Sequence, residues 1–241
     1  MKTKYLLTAL LALPLSAGVA RATIYDYSQT GLTTDIPDGS TVGITASQTV
    51  SDIPTAGGGD IINNVDVTLN ISGGYNGDLY GYLVLQSVDG STTTSILLNR
   101  VGTTATDSFG ADGSGFNVTL TGGATDNLGD PNSGDIHIAS ETTGSALTGV
   151  YLADGRAVSP LTVTDTSSRT AGLDVFNSGI EANGTWTLFL ADLSAGGQSQ
   201  LNSWGLSISV VPEPVTAGMI VFGSLVGLGA LISLKRRHHG A

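Results

Sequence analysis

Strict alternation of apolar and polar residues is the feature that most restricts the fold of this chain. In the segment 65–72, VDVTLNIS, every second side chain is apolar, and the same pattern recurs in 116–120, 185–192 and 203–210. A strand with this pattern has one buried and one solvated face, which is typical of antiparallel sheets. No stretch shows the apolar period of a helix. We therefore expect an all-β domain, an antiparallel β-sandwich of the jelly-roll type.

The first 22 residues predict a secretory signal peptide. Two lysines precede a short apolar run, which ends in the small-x-small sequence Ala20–Ala22. An uncleaved anchor helix is the alternative, but Pro14 interrupts the run and the run is short for a membrane span. We expect cleavage by signal peptidase after residue 22 and a mature chain that begins at Thr23.

A second apolar segment lies near the C-terminus. Residues 215–234 carry no charge and match the length of about 20 residues that a membrane-spanning helix needs. A basic cluster follows at once, and such clusters mark the cytoplasmic side of a span. We expect one transmembrane helix, with the body of the precursor outside the cytoplasm. The flanking residues of interest are Pro212, Glu213 and Pro214 before the span and Lys235, Arg236 and Arg237 after it.

Taken together, the tripeptide, the apolar span and the basic tail make residues 212–241 resemble a PEP-CTERM sorting signal. The resemblance implies recognition by an exosortase, a membrane transpeptidase of Gram-negative bacteria that make exopolysaccharide. It further implies that the signal is removed near the tripeptide. The mature protein is then expected at the cell surface or in the extracellular matrix, where exopolysaccharide is a candidate partner.

The body of the chain, residues 23–211, is strongly acidic. It holds all but one of the 20 acidic residues, and its basic residues are Arg100, Arg156 and Arg169. Such a charge repels nucleic acid phosphates, so we expect no nucleic acid partner, and it favours divalent cations such as calcium. The chain has no cysteine, which excludes a thiol nucleophile and a thiolate metal site.

The body also carries motifs of a known family. The segment 183–208, NGTWTLFLADLSAGGQSQLNSWGLSI, resembles the closing hairpin of the proprotein convertase P domain, also called P/Homo B. A second motif centres on Gly77-Asp78-Leu79, although the usual His-Thr pair before it is replaced by GGYN. The resemblance implies a non-catalytic jelly-roll domain, and the residues that carry it are Gly77, Asp78, Leu79, Gly184, Trp186, Asp192 and Trp204.

The residue inventory disfavours an enzyme. His137 is the only histidine of the body, with Asp135 two residues away, and no serine stands in a nucleophile motif. We expect His137 to be a half-buried strand residue without a catalytic role. A carboxylate pair for glycoside hydrolysis stays open as an alternative, although no pair is set apart by apolar surroundings.

Two groups of oxygen ligands are candidates for calcium. One is the loop 130–141, which lacks the glycine that an EF-hand has at its sixth position. The other is the pair of motif carboxylates at strand ends, which alternatively brace turns. The candidate ligands are Asp130, Asn132, Asp135 and Glu141 in the loop, and Asp78 and Asp192 in the pair.

Aromatic residues offer two interpretations. Trp186 and Trp204 stand in phase with the apolar stripes of their strands, which places both rings in the core. The tyrosines beside the Gly-Asp-Leu motif are better exposed candidates for stacking against sugars.

Taken as a whole, the sequence predicts a non-catalytic, exported surface or matrix protein. The alternatives are a calcium-dependent carbohydrate-binding module and an accessory domain for a separate protease.

Overall fold

A computed structural model describes residues 22–54, 60–122, 134–177 and 179–212. Ten strands and three short 3₁₀ helices make up these ranges, and the helices are Asn76–Asp78, Ile136–Ile138 and Leu173–Asn177. The strands are β1 (Thr23–Ile36), β2 (Ser40–Val50), β3 (Asp60–Gly73), β4 (Leu79–Ser87), β5 (Thr92–Asn99), β6 (Phe116–Thr121), β7 (Gly134–Asp135), β8 (Leu147–Leu152), β9 (Gly184–Asp192) and β10 (Ser199–Pro212).

The strands form two sheets, which confirms the expected all-β sandwich. One sheet has the order β1-β10-β3-β6-β8-β7 and the other the order β2-β9-β4-β5. The expectation of purely antiparallel pairing was wrong at one place, because β6 and β7 both pair with β8 in parallel. Parallel neighbours cannot be joined by a tight turn, so neither pair is a hairpin.

The segment 183–208, expected as a hairpin, joins the two sheets instead. Its strand β9 pairs with β2 and β4, whereas β10 pairs with β1 and β3. The glycine-rich connection 193–198 carries the chain from one layer to the other. Trp186 and Trp204 thus belong to opposite sheets, which lets both rings enter the core between them.

The alternating residues of the predicted strands form that core. Every second residue of 65–71, 116–120, 186–190 and 204–210 is buried. The Trp186 ring packs on Phe176 at a centroid distance of 4.9 Å, and its Nε1 donates to the carbonyl of Ala182 at 3.0 Å. Trp204 donates to the side-chain oxygen of Gln29 at 3.2 Å. Each indole therefore buries its apolar surface without losing its hydrogen bond.

Both chain ends of this domain leave from the same end of the sandwich. Thr23 pairs with Val210, and Pro212 pairs with Asp60. Most of the expected signal peptide and nearly all of the expected sorting signal lie outside the described residues. Within the ranges that the structure covers, no helix has the length and apolarity of a membrane span.

A glycine that carries one of the motifs gives a direct test of the packing. Gly184 has a φ of 153°, and a Cβ on it would collide with the carbonyl oxygen of Gln86. We expect Gly184→Ala to lower the free energy of unfolding by about 2–4 kcal/mol. Gly134→Ala, where a Cβ meets open space, should change it by less than about 0.5 kcal/mol. Equal urea midpoints for both variants would contradict this packing.

Candidate functional site

One end of the sandwich collects four connections, and we call it the loop end. It comprises residues 37–39, 74–78, 101–115 and 193–198, and it lies opposite the end where the chain enters and leaves. Backbone hydrogen bonds join these connections: Leu193 N–H donates to the Asp78 carbonyl at 2.9 Å, and Gly77 N–H donates to the Ala111 carbonyl at 2.9 Å. Gly77 has no room for a side chain, because the carbonyl oxygen of Phe109 occupies the place of its Cβ.

Asp78 and Asp192, predicted from separate motifs, both belong to the loop end. Asp192 is completely buried; its Oδ2 accepts from the Ser199 hydroxyl at 3.1 Å, while its Oδ1 has no hydrogen-bond partner in the described structure. Burial, together with the carboxylates of Asp78 and Asp38, raises the pKa of Asp192 to about 6. Sequence reasoning missed Asp38, because the turn that carries it is distant along the chain.

Asp78 has a partial counter-charge. Burial raises its pKa, and a hydrogen bond from Ser194 and the charge of Arg100 offset part of that rise. The Arg100 guanidinium lies 3.9 Å from the Asp78 carboxylate, but it donates to the carbonyls of Gly77 and Ser108 at 3.0 and 2.9 Å. Asp78 therefore shares a cation that is mainly engaged in bracing the backbone.

The structure describes only part of the predicted calcium loop. Asp130 and Asn132 lie outside the described residues. Asp135 Oδ2 accepts from Arg156 at 2.7 Å, whereas Glu141 Oε2 accepts from Asn76 Nδ2 at 2.8 Å, so the two carboxylates serve different partners. No three acidic or histidine side chains within the described ranges lie close enough together to hold a metal ion. Calcium binding stays a prediction.

His137 lies in the 3₁₀ helix Ile136–Ile138 and is completely buried, so the expected half-buried strand position was wrong. Its Nδ1 lies 2.8 Å from Asp154 Oδ2, and its Nε2 lies 2.9 Å from the carbonyl of Thr103. A carbonyl only accepts, and an ionised carboxylate only accepts, so this geometry fits an imidazolium that carries a proton on each ring nitrogen. The neighbour expected from sequence, Asp135, instead accepts from the backbone N–H of His137 at 3.0 Å.

The buried imidazolium belongs to a wider ion network. Asp154 also accepts from the backbone N–H of Asn99 at 3.2 Å and contacts Arg156 Nη1 at 3.4 Å. Burial alone would lower the pKa of His137, but the hydrogen bond and charge of Asp154 outweigh it and raise that pKa. Sequence spacing gave no signal of Asp154 as the partner, because the pairing depends on how two irregular connections pack.

The Thr103 hydroxyl, the His137 ring and the Asp154 carboxylate follow one another as the groups of a catalytic triad do, but all three are buried. The Thr103 hydroxyl lies 3.5 Å from His137 Nε2, but it donates to the Val163 carbonyl at 3.2 Å, and Thr103 is 2 % exposed. Since His137 and Asp154 are 0 % exposed, no substrate can reach the three groups in this structure. The arrangement is a structural ion pair.

Among the cavities that the described residues line, two open on the surface and concern us here. The larger, about 410 Å³, lies on the outer face of β4 and β9 and is called the aromatic groove. Tyr82 and Phe189 stack there across the two strands at a centroid distance of 4.7 Å, with Tyr80 edge-on to Tyr82. The sequence pointed to the tyrosines but not to Phe189, which stands on the polar phase of its strand. Pro160 and the exposed Leu161 line the opposite side.

The smaller cavity, about 270 Å³, lies at the loop end, and we call it the loop-end pocket. Asp78 and Asp112 contribute carboxylates to its lining, and Tyr75 and Phe109 contribute aromatic rings. Tyr75 is 48 % exposed and Phe109 is 82 % exposed. Charge and aromatic surface thus meet at one opening, whereas the aromatic groove has no charged lining residue.

Comparison with known proteins adds little to this picture. No family model and no curated protein matches the chain. Two solved structures, the serine protease of Aeromonas sobria and that protease in complex with its chaperone, match it at 14% sequence identity. Their TM-scores are 0.38 and 0.40, over 79% and 80% of this chain and 27% of each matched chain. The chain spans about a quarter of the matched chains, and a similarity at this level carries no argument about fold or function.

The ion network predicts how stability depends on pH. A group whose pKa is raised by folding stabilises the fold when protonated, so the contribution of His137 is complete below its unfolded pKa of about 6.5 and is lost as the pH rises through the folded value. The groups that face it are Asp154, Asp135 and Arg156. We expect the thermal midpoint to fall from mildly acidic to alkaline pH. A midpoint that rises over this range would contradict the assignment.

The raised pKa of Asp192 predicts a second pH dependence of the fold's stability, at lower pH. Its raised pKa means that ionisation destabilises the fold as the pH rises from about 4 to about 6. Asp192→Asn should remove this dependence and raise the free energy of unfolding at neutral pH by up to about 3 kcal/mol. Asp26→Asn, on the exposed face of β1, is the matched control and should change little. A less stable Asp192→Asn variant in EDTA would contradict the assignment.

The same pair of variants tests the calcium prediction. If Asp78 and Asp192 bind calcium, added calcium raises the thermal midpoint of the wild-type protein and of Asp26→Asn, but not that of Asp192→Asn. A midpoint that calcium leaves unchanged in all three proteins would contradict calcium binding by this pair.

Proposed function

We propose that this chain is a non-catalytic, exported β-sandwich module of the cell surface or extracellular matrix. The observation that carries the proposal is the burial of His137: the one imidazole of residues 23–211 is enclosed by Asp154 and Thr103, while the accessible cavities are lined by aromatic rings. A rigid sandwich with exposed aromatic surface is suited to binding. Purified protein that hydrolysed peptides, esters or glycans at enzymatic rates would contradict the proposal.

We propose further that the sandwich is a jelly roll of the P-domain type. The motif residues support this, because each has a structural role: Gly77 and Gly184 leave room for a neighbouring backbone, and Leu79, Trp186 and Trp204 are buried in the core. In this interpretation the module is a P-domain-like body without an active site of its own. An accessory role beside a separate protease is then a further alternative, with no specific contact to favour it.

The positions of the chain ends support sorting through residues 212–241. Because Thr23 is the first residue of β1 and Pro212 the last of β10, cleavage after residue 22 and within the tripeptide would leave every strand intact. The proposed sequence of events is export by the signal peptide, retention of the precursor in the membrane by the apolar segment 215–234, and release by an exosortase.

Replacement of Pro212, Glu213 and Pro214 by alanine tests the sorting proposal. In a host that has an exosortase, we expect the variant to stay in the inner membrane fraction, while the unchanged protein reaches the surface or matrix. Replacement of Ser207 and Ser209 by alanine, on the last strand, is the control for an unrelated change nearby. The same distribution for the tripeptide variant and the unchanged protein would contradict sorting by this signal.

Carbohydrate binding is the second candidate function, and the aromatic groove is the observation that favours it. Three aromatic side chains and an apolar opposite wall offer the kind of surface on which the apolar faces of sugar rings pack. In the matrix, the ligand would be exopolysaccharide. Burial and the neighbouring Tyr82 raise the pKa of Tyr80, and its hydroxyl is a hydrogen-bond donor at neutral pH, as that of any tyrosine is.

Tyr80→Ala and Leu161→Ala test this second candidate from the two sides of the groove. If the groove binds exopolysaccharide, each variant should slow less than the wild-type protein during electrophoresis through a gel that contains the polysaccharide. Val88→Ala, exposed on the turn after β4, is the control and should be slowed like the wild type. Equal mobility of all four proteins would contradict binding in the groove.

A further inference from the structure

The loop-end pocket has a chemistry that the proposed function does not use. Two carboxylates and two exposed aromatic rings line one opening of about 270 Å³. Asp112 is an exposed residue, and its Oδ2 accepts from the Thr143 hydroxyl at 2.7 Å. The pocket therefore presents negative charge beside apolar surface.

Hydrogen bonds brace the backbone of the loop that carries the exposed ring of Phe109. The backbone N–H of Phe109 donates to Asp107 Oδ1 at 3.0 Å, and Arg100 Nη2 donates to the Ser108 carbonyl at 2.9 Å. Two residues further along the loop, Ala111 N–H donates to the Val101 carbonyl at 2.8 Å. A large aromatic side chain that is 82 % exposed on a braced loop presents apolar surface to a partner.

The carboxylates around the pocket lack a full set of positive partners. Asp192, beside Asp78 at the loop end, is 0 % exposed and leaves its Oδ1 without a hydrogen-bond partner among the described residues. Arg100, the cation nearest to Asp78 in the described structure, is 3.9 Å away and donates to backbone carbonyls. The charge of Arg100 thus offsets only part of the negative charge at the loop end, and the remaining negative charge attracts a cation.

The nature of the lining distinguishes between a metal ion and an organic cation. Calcium takes six to eight oxygen ligands, usually with several carboxylates among them, and among the described residues no three acidic or histidine side chains are grouped together. A hydrated metal ion also gains little from aromatic rings. A guanidinium group, in contrast, pairs with carboxylates through its N–H donors and stacks on the faces of tyrosine and phenylalanine.

We propose that the loop-end pocket binds an arginine side chain from a basic segment of a partner protein. The guanidinium contacts the carboxylates of Asp78 and Asp112, and the alkyl part of the side chain packs between Tyr75 and Phe109. The pocket lies at the end of the sandwich opposite Thr23 and Pro212, so a partner reaches it without meeting the segments where the chain enters and leaves the domain. The interaction is independent of export and of the aromatic groove.

The test is calorimetric titration of the full-length protein, in a non-ionic detergent, with a short capped glycine–arginine peptide. The matched peptide carries citrulline, which has the shape of arginine without its charge. We expect the arginine peptide to bind, the citrulline peptide not to bind, and the affinity to fall with added salt. Phe109→Ala and Asp112→Asn should each weaken binding about tenfold.

Val88→Ala and Asp26→Asn are the matched controls, because each truncates or neutralises an exposed side chain that lines neither the loop-end pocket nor the aromatic groove. They should keep the affinity within about twofold. Absence of binding, equal binding of the citrulline peptide, or equal losses in the controls would overturn the proposal. Calcium binding that Asp112→Asn abolishes and that displaces the peptide would identify a metal site instead and would also overturn it.

Discussion

The buried carboxylate of Asp154 is the interaction on which the irregular half of the domain depends. Its two oxygens hold His137, Arg156 and the backbone of Asn99, three groups from three different connections or strand ends. Burying a charge is costly unless each oxygen finds a partner, so the network is stable only when all members are in place. The parallel pairs that β8 forms with β6 and β7 adjoin this network, because β8 ends just before Asp154 in the sequence.

This network also decides what the accessible surface has to offer. His137 is buried and paired within the fold. The two cavities described above are lined by aromatic residues and, at the loop end, also by acidic residues. The aromatic groove and the loop-end pocket differ in charge, so they suit different ligands: one the apolar face of a sugar, the other a cation. Ligand binding is therefore the role that we propose for these exposed features.

The regular half of the fold could be predicted from the sequence, and the irregular half could not. Alternation placed Trp186 and Trp204 in the core, because the side-chain period of a strand depends only on its own residues. It could not show that their strands lie in different sheets, since a glycine-rich connection allows either a hairpin within one sheet or a crossing to the other sheet. His137 pairs with Asp154, 17 residues away, because two loops pack against each other, and sequence patterns do not predict such packing. Phe189 was missed because the outer phase of a strand is usually polar.

The most direct test of this account is heteronuclear NMR of the imidazole nitrogens of His137 near neutral pH, with the terminal His238 and His239 replaced by glutamine to leave one signal set. The account predicts that both ring nitrogens carry slowly exchanging protons, and that diethyl pyrocarbonate does not modify the ring in the folded protein. A neutral imidazole with one bare nitrogen, or rapid modification, would contradict it and would return His137 to the residues available for catalysis.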